Sequence, residues 1–149
     1  MSEHEYSTLL TFELGDEYFA LDAMKVNHIL EVPEITRVPD TPEYLKGVIN
    51  LHGNIIPIAD LRMMMGFGAS EYTADSAIVV IGPDGHQDSS LGLIVDMVKE
   101  VVETEGLEMK TTVDNRENSM LNNFHGTFSF DDQFVHIIDI DELVLETEV

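Results

Sequence analysis

The sequence predicts a mainly β fold built from two similar small barrels. Short apolar runs rich in β-branched and aromatic residues, such as "AIVVI" and "FHGTFSF", are separated by turn-forming residues. A unit also recurs in which an apolar strand ends in Asp: "FALDA", "PIADL", "LIVDM" and "HIIDI". Each Asp can cap the turn or short helix that leaves its strand. With 149 residues and a hydrophobic fraction of 44%, the chain can bury a substantial core.

The N-terminal part predicts a hairpin followed by a helix. Residues 6–14 and 18–21 are predicted strands joined by a turn at Gly15. The apolar residues then fall at helical spacing, at Ala23, Val26, Ile29 and Leu30. We therefore predict a helix that Asp22 caps and Pro33 ends.

The next elements alternate between strands and turns. Residues 47–52 and 55–59 predict a second hairpin with its turn at Gly53-Asn54, and Pro57 suggests an edge strand or a bulge. We predict further strands at residues 77–82, at 91–103 with a bend near Asp96, and in a last hairpin at 124–130 and 134–139. Residues 111–123 are predicted to form a mobile loop, and residues 141–146 a closing helical turn.

The net charge restricts the partners. Twenty-nine Asp and Glu against seven Lys and Arg give −22, so phosphate backbones and anionic membranes repel the chain. We predict no nucleic-acid partner and no direct membrane insertion, since no apolar run approaches the ~20 residues of a span. The acids are scattered, which favours solubility or life in high salt, and a basic partner is the alternative. The absence of Cys excludes disulfides and agrees with a cytoplasmic location.

His52 and Asp60 are the strongest candidates for catalysis, because they lie on opposite arms of one predicted hairpin. A serine triad also needs a Ser on a strained elbow, and no G-x-S-x-G motif occurs. We therefore interpret His52 as a surface residue and Asp60 as a cap, and predict that the protein is not an enzyme. A small hydrolase using this pair is an alternative. The histidines show no ligand spacing and no phosphate-binding glycine motif occurs, so we predict no metal and no cofactor.

The segment "GVINLHGNIIPIADLR", residues 47–62, resembles the signature of the CheW family of chemotaxis coupling proteins. The family pattern runs Gly-Val-Ile-Asn-Leu-Arg-Gly, then an apolar strand with Pro, then Asp-Leu-Arg. "FELGDEYFALDAMKV" resembles the family's opening hairpin and helix, "LGLIVDMVKEVV" its Gly-Leu-x-Val-Asp-x-Val segment, and "FVHIIDIDELV" its closing strand. These likenesses occur in order over residues 6–146.

The resemblance implies one CheW-like domain over residues 1–149. It would consist of two intertwined SH3-like five-stranded barrels packed around a shared core, with short helices. It also implies a non-enzymatic adaptor that joins chemoreceptor cytoplasmic tips to the regulatory domain of the CheA histidine kinase, in the cytoplasm at membrane receptor arrays. The coupling domain of a CheV-like protein without its receiver domain is the alternative.

The resemblance also implies two sets of contact residues. Receptor helices would dock in a groove between the barrels, formed by Leu10, Ala23, Val26, Ile29, Val98 and Val101. The kinase would contact His28, Lys46, Gly47, His52, Gly53 and Ile55. His52 stands where the family has Arg, and His28 where it has Glu. Because those family residues are oppositely charged and could pair, we predict that His28 and His52 lie close together.

Overall fold

The computed structural model describes residues 7–68, 71–82, 90–110 and 124–147, which form two five-stranded sheets. In the first sheet the strand order is β8 (Met97–Glu103), β1 (Thr8–Leu14), β2 (Glu17–Asp22), β10 (Gln133–Ile138) and β9 (Phe124–Phe130). In the second sheet it is β3 (Val26–Glu31), β6 (Ala77–Ile81), β7 (Leu91–Val95), β5 (Asn54–Asp60) and β4 (Leu45–Leu51). The predicted mainly β fold with two five-stranded units is confirmed.

The chain passes from the first sheet to the second and back. It leaves the first sheet after β2, builds the second sheet from β3 to β7, and returns to the first sheet for β8 to β10. Each sheet contains one parallel pairing, β2 with β10 in the first and β5 with β7 in the second, while its other pairings are antiparallel. The predicted bend at Asp96 is where the chain changes sheets, between β7 and β8.

A shared hydrophobic core lies between the two sheets. It takes side chains from both, including Leu10, Phe12, Phe19 and Leu21 of the first sheet and Val79, Ile81, Leu93 and Val95 of the second. Each sheet has a smaller core on its other face, centred on Phe128 and Val135 in the first and on Ile56 and Ile78 in the second. Strands β6 and β7 are buried on both faces, which explains why they consist almost entirely of apolar residues.

Among the described residues, three short helices follow strands, and each comes directly after an Asp of the recurring unit. They are a 3₁₀ turn (Ala23–Lys25), α1 (Leu61–Met64) and α2 (Ile140–Thr147). The capping carboxylates accept hydrogen bonds from backbone N–H groups: Asp22 from Met24 at 3.0 Å, Asp60 from Met63 at 3.3 Å, and Asp139 from Glu142 at 3.2 Å. The predicted capping role is therefore confirmed for these three residues, and the fourth, Asp96, acts differently.

The helix predicted from Asp22 is wrong beyond Lys25, because the chain continues as strand β3. Val26 and Ile29 are β-branched, and the free edge of β6 offers backbone partners that an isolated short helix would lack. Strand β3 holds one extra residue where Val26 pairs with Ile81 and His28 with Val80. This bulge places Val26 and Ile29 on the same face, as a helix would have done.

The turn of the second hairpin lies one residue earlier than predicted, at His52-Gly53. Leu51 pairs with Asn54, and both turn residues have positive φ, 53° at His52 and 88° at Gly53. Two positive φ values are what a type I′ hairpin turn requires, and His tolerates this region better than most non-glycine residues. The Asn50 side chain also accepts a hydrogen bond of 2.9 Å from the Gly53 N–H.

Pro57 is not in an edge strand, because β5 lies between β7 and β4. Its partner on β4 is Val48, whose N–H and C=O both bond to Thr36, at 2.8 and 2.9 Å. The Pro57 position therefore needs no ladder hydrogen bond to β4, and the pairing with β7 begins only at Ile58. The register shift between β4 and β5 lies at Leu45–Gly47, away from Pro57.

The other predicted elements agree with the structure to within a few residues. The β1–β2, β4–β5 and β9–β10 hairpins, strand β6 and the closing helix all form. The turn between β9 and β10 consists of Asp131 and Asp132, both with positive φ. The predicted loop at 111–123 lies outside the described residues.

Candidate docking surfaces

Two edge strands, β3 and β8, carry most of the residues predicted to bind a receptor. Each is the outermost strand of its sheet, and each sends side chains to the shared core between the sheets. Val26 on β3 and Val98 on β8 are half-buried and pack against that core, together with Ala23. Farther out, Ile29 is 48% exposed and Val101 is 59% exposed. We call Val26, Ile29, Val98 and Val101 the apolar edges.

Strand β8 reaches this arrangement through a bulge, as β3 does. Val101 pairs with Leu10 and Val98 with Phe12, so β8 holds one extra residue over this stretch. Leu10 and Phe12 both face the shared core, and the bulge turns Val98 and Val101 to that side. Leu10 itself is only 3% exposed, which places it in the core beneath the edges rather than on the surface.

The structure brings His28 and His52 together, as predicted. Their ring centroids are 5.9 Å apart with the ring planes tilted by 43°. Both side chains are exposed, and they line a surface pocket of about 360 Å³ with Asn27, Asn54 and Ser90 on its polar side. His28 reaches this place because it pairs with Val80, on the face opposite to the shared core. We call this the histidine pocket.

The remaining residues of the predicted kinase-binding set do not join the histidine pocket. Lys46 is near the start of β4, and at ~3.3 Å per strand residue it lies roughly 20 Å from the turn. Gly47 is buried with φ of 142°, and a Cβ there would collide with the Thr36 carbonyl. The fold therefore requires glycine at this position, whether or not a partner binds there. Ile55 is 64% exposed on the outer face of β5, opposite to Ile56 in the core.

The structure opposes the alternative of a hydrolase using His52 and Asp60. Asp60 is the last residue of β5, whereas His52 lies in the turn before Asn54, the first residue of that strand. At ~3.3 Å per strand residue the two are therefore at least about 20 Å apart. Asp60 is 1% exposed, and burial raises the pKa of its carboxyl, against the lowering effect of the Met63 hydrogen bond. Burial and the neighbouring Asp60 raise the pKa of the Tyr72 hydroxyl to about 12. Asp60 thus serves as a buried helix cap.

Sequence reasoning missed the connection that Asp96 makes between the two sheets. Its carboxylate accepts a hydrogen bond of 2.6 Å from the Gly15 N–H in the β1–β2 turn and forms an ion pair of 2.7 Å with Arg62. Arg62 also bonds to the Gly68 carbonyl at 3.3 Å and lies over the Phe67 ring. Of the four Asp residues in the recurring unit, Asp96 is followed directly by another strand, whereas the other three are followed by a helix. That difference could have indicated that Asp96 has another role than capping.

The described parts of the chain restrict the kinds of site to consider. No helix there is long and apolar enough to cross a membrane. Within the same part of the chain, no cluster of three or more His, Asp or Glu side chains could hold a metal ion. The surface features of these residues include the apolar edges and a histidine pair. Features of this kind, on a two-sheet fold, are typical of a small β-rich binding module.

The comparisons with known proteins identify the family. The CheW-like domain matches residues 8–148. Since this match covers nearly the whole chain, the protein belongs to the CheW-like domain family.

Relatives and a solved structure agree with this assignment. The chemotaxis protein CheW of Helicobacter pylori is 28% identical, over 94% of this chain and 82% of the relative. CheW of Thermotoga maritima is also 28% identical, over 95% of this chain and 89% of the relative. The crystal structure of the scaffolding protein TtCheW from Thermoanaerobacter tengcongensis has a TM-score of 0.74 and 32% identity, and the match covers 90% of this chain and 89% of that one.

Proposed function

We propose that this protein is a chemotaxis adaptor that couples chemoreceptor cytoplasmic tips to the CheA histidine kinase, on the cytoplasmic side of a receptor array. Membership of the CheW-like family and the similarity to a scaffolding protein support this role. An adaptor needs surfaces for two partners, and the chain has two surfaces of different chemistry.

The single observation that carries the proposal is the exposure of Ile29 and Val101 on two edge strands that border one core. Exposed apolar residues that continue a buried core are typical of docking sites. The partner that best fits such a surface is the apolar face of an amphipathic helix, and the receptor tip is proposed to supply it. The apolar edges are therefore the receptor-binding surface in this account.

The histidine pocket is the proposed kinase-facing surface. His28 and His52 occupy the positions where the family pattern has Glu and Arg, and they lie side by side. Gly53 belongs to the same turn as His52, and we assign it a backbone role in presenting that ring. Lys46 and Ile55 lie away from the pocket, so we propose that a kinase domain would contact them only through a wider interface.

A binding experiment with a matched control tests the receptor surface. Val101→Asp places a charge in the proposed apolar contact. Leu145→Asp adds the same charge at a 67% exposed residue of α2 that belongs to neither surface as defined above. For receptor-tip fragments we expect Val101→Asp to cost at least ~2 kcal/mol, about thirtyfold in affinity, and Leu145→Asp to cost little.

Equal losses in the two variants would show that the effect is added negative charge rather than a specific contact. Wild-type protein that binds neither receptor tips nor the kinase regulatory domain would refute the proposed function itself.

A further inference from the structure

We infer that His28 and His52 form a two-imidazole binding site for a divalent transition-metal ion of the zinc class. This inference concerns the histidine pocket alone and does not depend on the adaptor role. It starts from the distance between the rings, whose centroids are 5.9 Å apart.

That distance suits a shared ion. Zn²⁺ binds imidazole nitrogen at ~2.0–2.1 Å, so two rings that share one ion have centroids roughly 5–6.5 Å apart. The planes are tilted by 43°, and rotation about the χ2 bonds of these two exposed side chains can turn one nitrogen of each ring toward a common place. Both rings are exposed, and neutral imidazole is among the preferred ligands of Zn, Ni and Cu.

The surroundings of the pair provide room and further donors. The pocket has a volume of about 360 Å³, enough for an ion with bound water. Asn27, Asn54 and Ser90 line it and carry side-chain oxygens that can bind the ion or its water. The backbone fixes both ligands: His28 is in a paired strand, and His52 is in a tight turn held by the Asn50 side chain.

The charge of the whole chain also favours a cation. A net charge of −22 raises the local concentration of any positive ion near the surface. The same charge creates a competing explanation, since scattered carboxylates also attract metals. The experiment must therefore separate imidazole binding from carboxylate binding. The histidine variants do this, because they leave every carboxylate in place, and the choice of ion supports it. Mg²⁺ prefers oxygen ligands, whereas Zn²⁺ and Ni²⁺ bind imidazole well.

The test is calorimetric titration of the full chain with Zn²⁺ and separately with Mg²⁺. His28→Gln and His52→Asn remove one imidazole each, and Asn is chosen at position 52 because it tolerates the positive φ of that turn. His125→Gln is the matched control, since His125 is partly exposed and paired with Asp139 at 3.4 Å, outside the histidine pocket.

We expect wild-type protein and His125→Gln to bind one Zn²⁺ ion equally, with no comparable Mg²⁺ binding. Each pocket variant should bind more than about tenfold more weakly, since loss of an outer-shell partner alone costs at least tenfold. Unchanged Zn²⁺ affinity in both pocket variants, or no Zn²⁺ binding by wild-type protein, would overturn the inference. Melting curves without metal check folding, and if His52→Asn is unfolded, His28→Gln decides the result alone.

A spectroscopic readout identifies the ligands independently of affinity. Electron paramagnetic resonance of the Cu²⁺-loaded chain should show coupling to two imidazole nitrogens in the wild type. One coupled nitrogen should remain in His28→Gln, and the spectrum of His125→Gln should match the wild type. A spectrum that is the same in His28→Gln and wild-type protein would contradict a shared site.

Discussion

The two faces of strand β3 differ sharply in what they offer to a partner. On one face, Val26 and Ile29 continue the shared core outward, in line with Val79 and Ile81 of the neighbouring strand. On the other face, His28 stands beside His52 at the rim of a polar-lined pocket. The first surface extends the shared core outward to the exposed Ile29 and Val101. The second presents two exposed histidines, which the core does not require, over a pocket whose lining includes the core residues Ile56 and Val80.

The two surfaces therefore differ in how freely their residues can be substituted. The apolar edges are coupled to stability, because their inner members pack against the core. The two histidines of the pocket can be altered with little effect on the core, because both side chains are exposed and substitutions at such positions are usually close to neutral. The chain can therefore vary its pocket contacts independently, while its apolar contacts are constrained by folding.

Val26→Asp should have the largest effect, because Val26 takes part in both regions. It packs against the shared core and also lines the histidine pocket. An unpaired carboxylate at this half-buried place should lower the free energy of unfolding by ~2–4 kcal/mol. Urea denaturation measures this, with Asn27→Asp at the exposed neighbour as the control. A Val26→Asp protein of wild-type stability would show that Val26 belongs to the surface and not to the core.

Breaking the ion pair between Arg62 and Asp96 should have the next largest effect on stability. Arg62→Met keeps most of the side-chain volume but leaves the Asp96 carboxylate without its 2.7 Å ion-pair partner. We expect a loss of ~1–3 kcal/mol in unfolding free energy, because both groups are partly buried. Lys99→Met, which breaks the more exposed pair with Glu13 at 3.6 Å, should cost below ~1 kcal/mol.

A double-mutant cycle with Asp96→Asn separates the ion pair from packing of the Arg62 side chain. Purely additive losses in Arg62→Met and Asp96→Asn would contradict a direct coupling between the two residues.

Substitutions of His28 and His52 should have a smaller effect, and the effects of the two substitutions should depend on each other. His28→Glu with His52→Arg restores the family's opposite charges at adjacent positions. For binding to a standard CheA regulatory domain, the gain in binding free energy of the double variant should exceed the sum of the gains of the two single variants by at least ~0.5 kcal/mol. The four affinities can be measured by calorimetry at two salt concentrations. Additive effects would mean that the two positions do not act together toward a kinase.

Asp60→Asn should produce the smallest change. Burial raises the pKa of this carboxyl, so its ionised form is disfavoured in the folded state. Asn still caps α1 and carries no charge, so this variant should be slightly more stable than wild type at neutral pH. The advantage should vanish as the pH falls through the raised pKa and the wild-type carboxyl gains its proton. Thermal melting between pH 7 and pH 4 checks this, and a variant that is less stable throughout would contradict it.

Most of the fold was predictable because strand composition and turn residues act locally. The apolar runs of β6, β7, β9 and β10 identified their strands without any tertiary information. Strand β3 was misassigned because a 3₁₀ turn followed by a bulge reproduces the apolar spacing of a helix. Such a bulge depends on the neighbouring strand, which local sequence does not reveal.

The site was predictable only in part. The proximity of His28 and His52 came from a family resemblance, since 24 positions of sequence separate them and no spacing rule joins them. The bonds of Asp96 to Arg62 and Gly15 cross 34 and 81 positions, which places them beyond any local pattern. Gly47 was assigned to a contact surface, although its glycine is needed for the close approach of Thr36.

The central claim is that one strand carries two separate binding surfaces, and Ile29→Asp tests it most directly. Ile29 is exposed beside His28 but lies on the other face of β3. The affinities of this variant for a receptor-tip fragment and for the kinase regulatory domain should be measured on the same folded preparation. We predict at least a ~30-fold loss for the receptor and a change within about twofold for the kinase. Parallel losses for both partners, or undiminished receptor binding, would contradict the account.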